Sequence, residues 1–300
     1  MNPQLRIRLR RVVYISTLVC IIIFLIIQGI EPWKVALGYW PVMLGVMVLS
    51  PLFIMVQTIA FRYCVPPDVS VPNLPRLIRI WAVASITSFI APLVAGLAVR
   101  VTLLKQEGMD IKTSSIATVL QTLINVDYAW VTGSILLILY PWPDFLALGY
   151  ISVSTWLLFK ISFIFLPNYQ FLIPKYLMIL NEKFPKIPWR AQPWLWGQIA
   201  VMGLNYWLAF RLGGAPLSWH FSLLLASITI LASLAIFIPN GLGVLDGLWV
   251  WIASQQGLSL AEGIALALTI RLGFILGAIC ILLTSILLAN RSSNASISGH

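Results

Sequence analysis

Apolar residues along this chain do not alternate with polar ones. They run together in long blocks parted by short polar or basic stretches, at about 12–30, 35–61, 77–99, 114–141, 145–167, 193–212, 218–239, 243–256 and 262–290. A helix needs roughly 20 apolar residues to cross the hydrocarbon core of a bilayer, so the pattern predicts a bundle of transmembrane helices. Two places break it. Pro92 and Gly96 interrupt the third block, and Pro239, Asn240, Gly241 and Gly243 part the seventh from the eighth. Such residues free backbone groups that hydrocarbon cannot satisfy, so breaks of this kind belong where protein buries them or where they line a wet cavity.

Loop charge decides how the breaks are arranged. If 77–99 crossed the membrane, Arg100, Lys105, Lys112 and the basic stretch 168–192 would lie outside, against the cytoplasmic excess of Lys and Arg. If it enters from the cytoplasm, turns at "IAPLVAG" and returns, most of the nineteen basic residues are cytoplasmic and only Lys34 is clearly outside. The region 218–256 then folds back at "PNGLG" from the outer side. The predicted fold is an all-α polytopic membrane protein with six spanning helices and two re-entrant helical hairpins. Both termini lie in the cytoplasm, the membrane is the plasma (inner) membrane, and the first helix is kept rather than cleaved. Residues 1–300 form one integral membrane domain, with 291–300 a disordered tail.

The two breaks resemble each other. Each has a proline followed four residues later by a glycine (Pro92 and Gly96, Pro239 and Gly243), and each is followed by an arm ending at a glycine, Gly108 or Gly257. The elements also repeat, helix, helix, hairpin, helix, beginning inside for 1–141 and outside for 142–290. That is an inverted repeat, the arrangement in which transporters bind cargo between broken helices.

Composition narrows the class further. Hydrophobic residues make up 60% of the chain and charged ones 9%, with a mean hydropathy of +0.95, against about 25% charged in soluble domains. The three cysteines lack paired spacing and there are only two histidines, so neither a disulfide framework nor a metal site is expected. The net charge of +10 fits cytoplasmic loops against anionic lipid rather than nucleic acid.

The chemistry lies with the few charges inside apolar blocks. Arg100 follows the first break, Asp246 follows the second, Asp127 sits midway along 114–141, and Arg271 lies in the last block. Each costs about 2.5–3.5 kcal/mol on insertion scales, so each is expected to face the interior with a partner. Two arrangements are open. Arg100 and Arg271 contact a phosphate while Asp246 and Asp127 orient them or relay protons, or Asp246 and Arg271 form a structural ion pair. Freed amides at the breaks offer a further anion site. No nucleophile elbow, metal box or phosphate-cradling loop occurs, so neither catalysis nor a cofactor is expected.

At "FIPNGLGVLDG" and "SITSFIAP", with Arg100 and "LLKQEGM" beyond, the chain resembles the transmembrane region of lysylphosphatidylglycerol synthases, over about 10–290. By motif the resemblance carries over Ser88, Pro92 and Arg100 in the first half and Pro239, Gly241, Gly243 and Asp246 in the second. Asn240 stands where that family has glycine, and "APLVAG" lacks its paired glycines. The resemblance implies a lipid flippase. The full synthases add a cytosolic aminoacyl transferase domain that does not follow here, so lysyl transfer is not expected of this chain. The expected function is translocation of an anionic phospholipid or a polyprenyl-phosphate lipid, with lipid headgroups as partners. The alternative is a non-catalytic membrane scaffold for a separate lipid-modifying enzyme.

Overall fold

The computed structural model describes residues 35, 37–66, 68–90, 93–139, 143–165, 189–232 and 244–297. The first apolar block, most of the basic stretch 168–192, and Pro92, Pro239, Asn240, Gly241 and Gly243 lie outside them. Among the described residues the chain is all helix and turn. Nine α-helices follow in order: α1 (Trp40–Cys64), α2 (Leu74–Ile90), α3 (Leu93–Gln106), α4 (Ile111–Leu139), α5 (Pro143–Phe165), α6 (Gln192–Leu212), α7 (Trp219–Ala232), α8 (Val244–Gln255) and α9 (Leu260–Ile297). Three are long and apolar enough to cross a membrane: α1, α4, and α9 over Leu260–Leu287. The helix continues to Ile297, where composition pointed to a disordered tail from 291. No proline or glycine interrupts that stretch before Gly299.

The pieces beside the two breaks are short. Within the described residues, helices α2, α3, α7 and α8 have 17, 14, 14 and 12 residues, against the roughly 20 that a span requires. Helices α2 and α3 fold back on each other. A Cβ on Gly96 would stand 1.8 Å from Ser88 Oγ and 2.9 Å from the Ala84 carbonyl oxygen. Residues 88 and 96 meet that closely only because the chain reverses between them. Helices α7 and α8 touch sparingly, and each packs instead on other helices, α7 on α4 and α6, α8 on α9.

Small residues set the closest approaches, as expected where lipid and helix are equally apolar and packing must supply the attraction. Gly273 and Gly277, one turn apart on α9, receive α1. A Cβ on Gly277 would come within 1.9 Å of Ser50 Oγ, and one on Gly273 within 2.7 Å of Val46 Cβ. Helix α1 accordingly packs most extensively on α9 and α6. Tyr206 of α6 centres an aromatic group with Trp249 of α8 (ring centroids 5.6 Å apart) and Phe274 of α9 (6.4 Å).

Many helix contacts come in matched pairs. Helix α2 packs on α9 as α7 packs on α4. Helix α3 packs on α4 as α8 on α9, and α1 on α2 as α6 on α7. The match extends to the turns that leave α3 and α8. Gly108 and Gly257 both have positive φ, 95° and 89°, a conformation glycine adopts without steric cost. Behind them the Met109 and Leu258 amides both donate five residues back, to Leu104 O and Ala253 O, each at 3.1 Å. This is the glycine-centred turn that closes helix C-termini. Two residues after each glycine a side chain caps the next helix. Asp110 accepts from the Thr113 amide at 3.1 Å, and Ser259 accepts from the Glu262 amide at 3.3 Å while Glu262 accepts from the Ser259 amide at 2.8 Å.

Candidate functional site

A cavity of about 180 Å³ lies where helices from both halves of the chain converge. Its lining combines the apolar Phe53, Phe89, Phe274 and Trp249 with polar side chains. Arg100 of α3 supplies its charge. Its position follows from the packing of α3 along α2, which brings Arg100 beside Trp81. The guanidinium carbon stands 4.3 Å from the Trp81 ring centroid, a favourable cation–π placement. Arg100 Nη1 donates to Gln121 Oε1 at 3.3 Å, a long hydrogen bond, and its Nε is buried with no hydrogen-bond partner. No carboxylate lies within ion-pair distance of it among the described residues.

Around Arg100 stands a belt of amides. Gln121 of α4 donates to the Gln57 carbonyl oxygen of α1 at 2.7 Å. Gln198 of α6 donates to Asn125 Oδ1 of α4 at 3.1 Å. Gln121 and Gln198 are 1% and 2% exposed, and burying an amide is costly unless it is bonded, so each is held in place by the bond it makes. Ser50, Ser85 and Ser88 add hydroxyls, and Tyr206 shares a hydrogen bond of 2.9 Å with Thr229 on the far wall. Trp249 Nε1, on a lining side chain, is buried without a partner.

Of the predicted residues that the structure describes, only part reach this cavity. Arg100 and Ser88 line it, and Gly96 packs directly behind Ser88. Asp246 and Arg271 do not line it. They face each other in a two-point ion pair, Arg271 Nε with Asp246 Oδ1 and Nη2 with Asp246 Oδ2 at 2.8 Å. Arg271 also lies over Trp249, 5.5 Å from the ring centroid. Leu245 and Trp249, one turn apart on α8, face the cavity, while Asp246, one residue on, is turned roughly 100° toward α9. Asp127 faces elsewhere too, accepting from the Trp156 indole of α5 at 2.8 Å. Asn125 points into the cavity, and a residue two further along an α-helix points roughly 200° away.

Gln57, Gln121, Asn125 and Gln198 all escape a search for charges. All four stand out in another way, as single amides inside apolar runs ("IMVQTIA", "LQTLINV", "WGQIAV"), where hydrocarbon penalises them.

A family model described as "Lysylphosphatidylglycerol synthase TM region" matches residues 12–283. No curated protein and no solved structure matches the chain.

Proposed function

The chain belongs to the lysylphosphatidylglycerol synthase transmembrane-region family, a membrane protein related to lipid handling, and from that premise we propose that it translocates an anionic lipid between leaflets. The lipid is a phospholipid or a polyprenyl-phosphate-type lipid. The observation that carries this reading is Arg100, a cation in a central polar cavity with no carboxylate beside it among the described residues. A buried charge without a counter-charge is costly, and an intramembrane charge facing a cavity marks a pathway for cargo. A lipid phosphate supplies the missing anion. The unpartnered Nε of Arg100 and Nε1 of Trp249 are both donors only, suited to the same acceptor-rich group.

The reading is of a non-catalytic translocator in the plasma membrane with both termini cytoplasmic. The matched contacts and matched exit turns of α3 and α8 support an inverted repeat, with 1–141 and 142–290 rocking about the cavity to expose it alternately. The Asp246–Arg271 pair then belongs to the scaffold that fixes α8 on α9, not to the headgroup site.

Proteoliposomes holding acyl-labelled fluorescent phosphatidylglycerol, with outer-leaflet label destroyed by dithionite, test this. The protein is expected to accelerate loss of inner-leaflet label over empty vesicles, and Arg100→Gln to slow it about tenfold, the effect of about 1.4 kcal/mol. Equal rates for the protein and empty vesicles would refute translocation and leave the scaffold role.

A further inference from the structure

We propose that the cavity selects a headgroup in which a single phosphodiester charge carries a neutral polyol, glycerol or a sugar, and rejects headgroups bearing an amine. This rests on the cavity being the lipid site, and names what that site recognises. The first observation is charge. Arg100 is the one charged side chain on the described cavity wall. The chain has nine acidic residues, and six of those that the structure describes are engaged elsewhere or exposed. Glu107 pairs with Arg76, Asp110 and Glu262 cap α4 and α9, Asp127 meets Trp156, Asp246 meets Arg271, and Asp68 lies exposed in a turn. The residues flanking the breaks, 91–92 and 233–243, contain no Asp or Glu. An ammonium entering this cavity loses its hydration, gains no carboxylate from the described lining, and meets Arg100 as a like charge. One arginine matches one phosphodiester charge.

The second observation is the unused capacity of the amide belt. Gln198 Nε2 and Asn125 Oδ1 are spent on each other, which leaves Gln198 Oε1 and Asn125 Nδ2 without a hydrogen bond among the described residues. The side-chain amide of Gln57 is uncommitted as well, since its bond to Gln121 uses its backbone carbonyl. An acceptor and donors side by side suit hydroxyl groups, which both give and take a hydrogen bond. A bare phosphate ester offers acceptors alone and leaves Gln198 Oε1 unmatched.

Four acyl-labelled lipids in proteoliposomes of the full chain separate these features. They are phosphatidylglycerol, phosphatidylmethanol (the same charge without hydroxyls), phosphatidylethanolamine and lysylphosphatidylglycerol. Phosphatidylglycerol is expected to cross about tenfold faster than either amine-bearing lipid and about threefold faster than phosphatidylmethanol. Gln198→Leu and Asn125→Leu are expected to bring phosphatidylglycerol down to the phosphatidylmethanol rate, and the milder Gln198→Met serves if those variants fail to fold. Competition by short-chain polyprenyl phosphoglucose against short-chain phosphatidylglycerol distinguishes a sugar carrier from a glycerolipid. Equal rates for phosphatidylglycerol and the amine-bearing lipids, or for phosphatidylglycerol and phosphatidylmethanol, would overturn the proposal. If no lipid crosses, translocation fails, and binding of the same four headgroups, read by quenching of the cavity tryptophan fluorescence, decides selectivity alone. Preference for phosphatidylglycerol there sustains the inference, and no preference ends it.

Discussion

Arg100 and Arg271 are each a cation within an apolar block, and each lies against a tryptophan, yet they are held in opposite ways. Arg271 has a carboxylate locked to it at two points by Asp246. Arg100 has one long hydrogen bond to an amide and a ring to lie over. Both exits from the broken helices are built alike, so the contrast lies in electrostatics rather than backbone. A neutralised charge fixes two helices to each other. One left without a counter-ion is available to a ligand, and the cost of keeping it so is the sign of a site.

The contrast is broken most directly at Arg271. Arg271→Met takes the guanidinium from the largely buried Asp246, and breaking a buried pair on one side typically costs up to about 3–5 kcal/mol. Thermal unfolding in detergent or nanodiscs is expected to shift sharply downward. The double variant Asp246→Leu with Arg271→Met is expected to recover most of that loss, because replacing both ions of a buried pair by apolar groups is often near neutral. A single variant as stable as the parent would move Arg271 out of the scaffold and place it beside Arg100 as a ligand group.

Arg100 is expected to behave in the reverse sense. Arg100→Gln removes an uncompensated charge, so the unfolding temperature stays level or rises while lipid movement falls about tenfold. A sharper test makes Arg100 resemble Arg271. Gln121→Glu sets a carboxylate where Gln121 Oε1 now accepts at 3.3 Å, supplying from within the chain the anion that cargo would bring. Transport is expected to fall as far as in Arg100→Gln although the arginine remains, while stability changes little, because the new ion pair is offset by the loss of the Gln121 donation to the Gln57 carbonyl oxygen. Unchanged transport in Gln121→Glu would detach Arg100 from cargo.

Parts of this were legible in the sequence and parts were not, for reasons of geometry. The apolar blocks, the two breaks and Arg100 are local features, and composition alone exposes them. The ion pair was legible as one of two options, since a sequence shows that Asp246 and Arg271 need partners without showing which. The facing of Asp127 was hidden. Whether it shares a face with Asn125 depends on helix rotation, and two residues along a helix reverse the direction. The amide belt was hidden for another reason. Gln57, Gln121 and Gln198 come from α1, α4 and α6, and only packing brings such distant, isolated polar residues to one wall. The last helix runs on to Ile297, a stretch whose polar composition reads as a tail although no proline or glycine in 291–297 stops a helix from continuing.

The smallest expected effect tests the similar half of the comparison. Gly108 and Gly257 carry left-handed backbone at corresponding exits, and a Cβ on either would meet nothing within 4 Å. Substitution by alanine therefore introduces backbone strain without a clash, about 1 kcal/mol for a residue forced into that region. Gly108→Ala and Gly257→Ala are expected to lower stability by the same amount, and together by the sum, because distant independent sites add. Chemical unfolding of the two single variants and the double reads this directly. Matched losses tie the two arms together as copies of one unit, so that Arg100 and Asp246 are different side chains mounted on the same backbone device. Unequal losses would mean that the turns agree in geometry alone, and that the arm bearing Arg100 moves against its neighbours under constraints that the arm bearing Asp246 does not share.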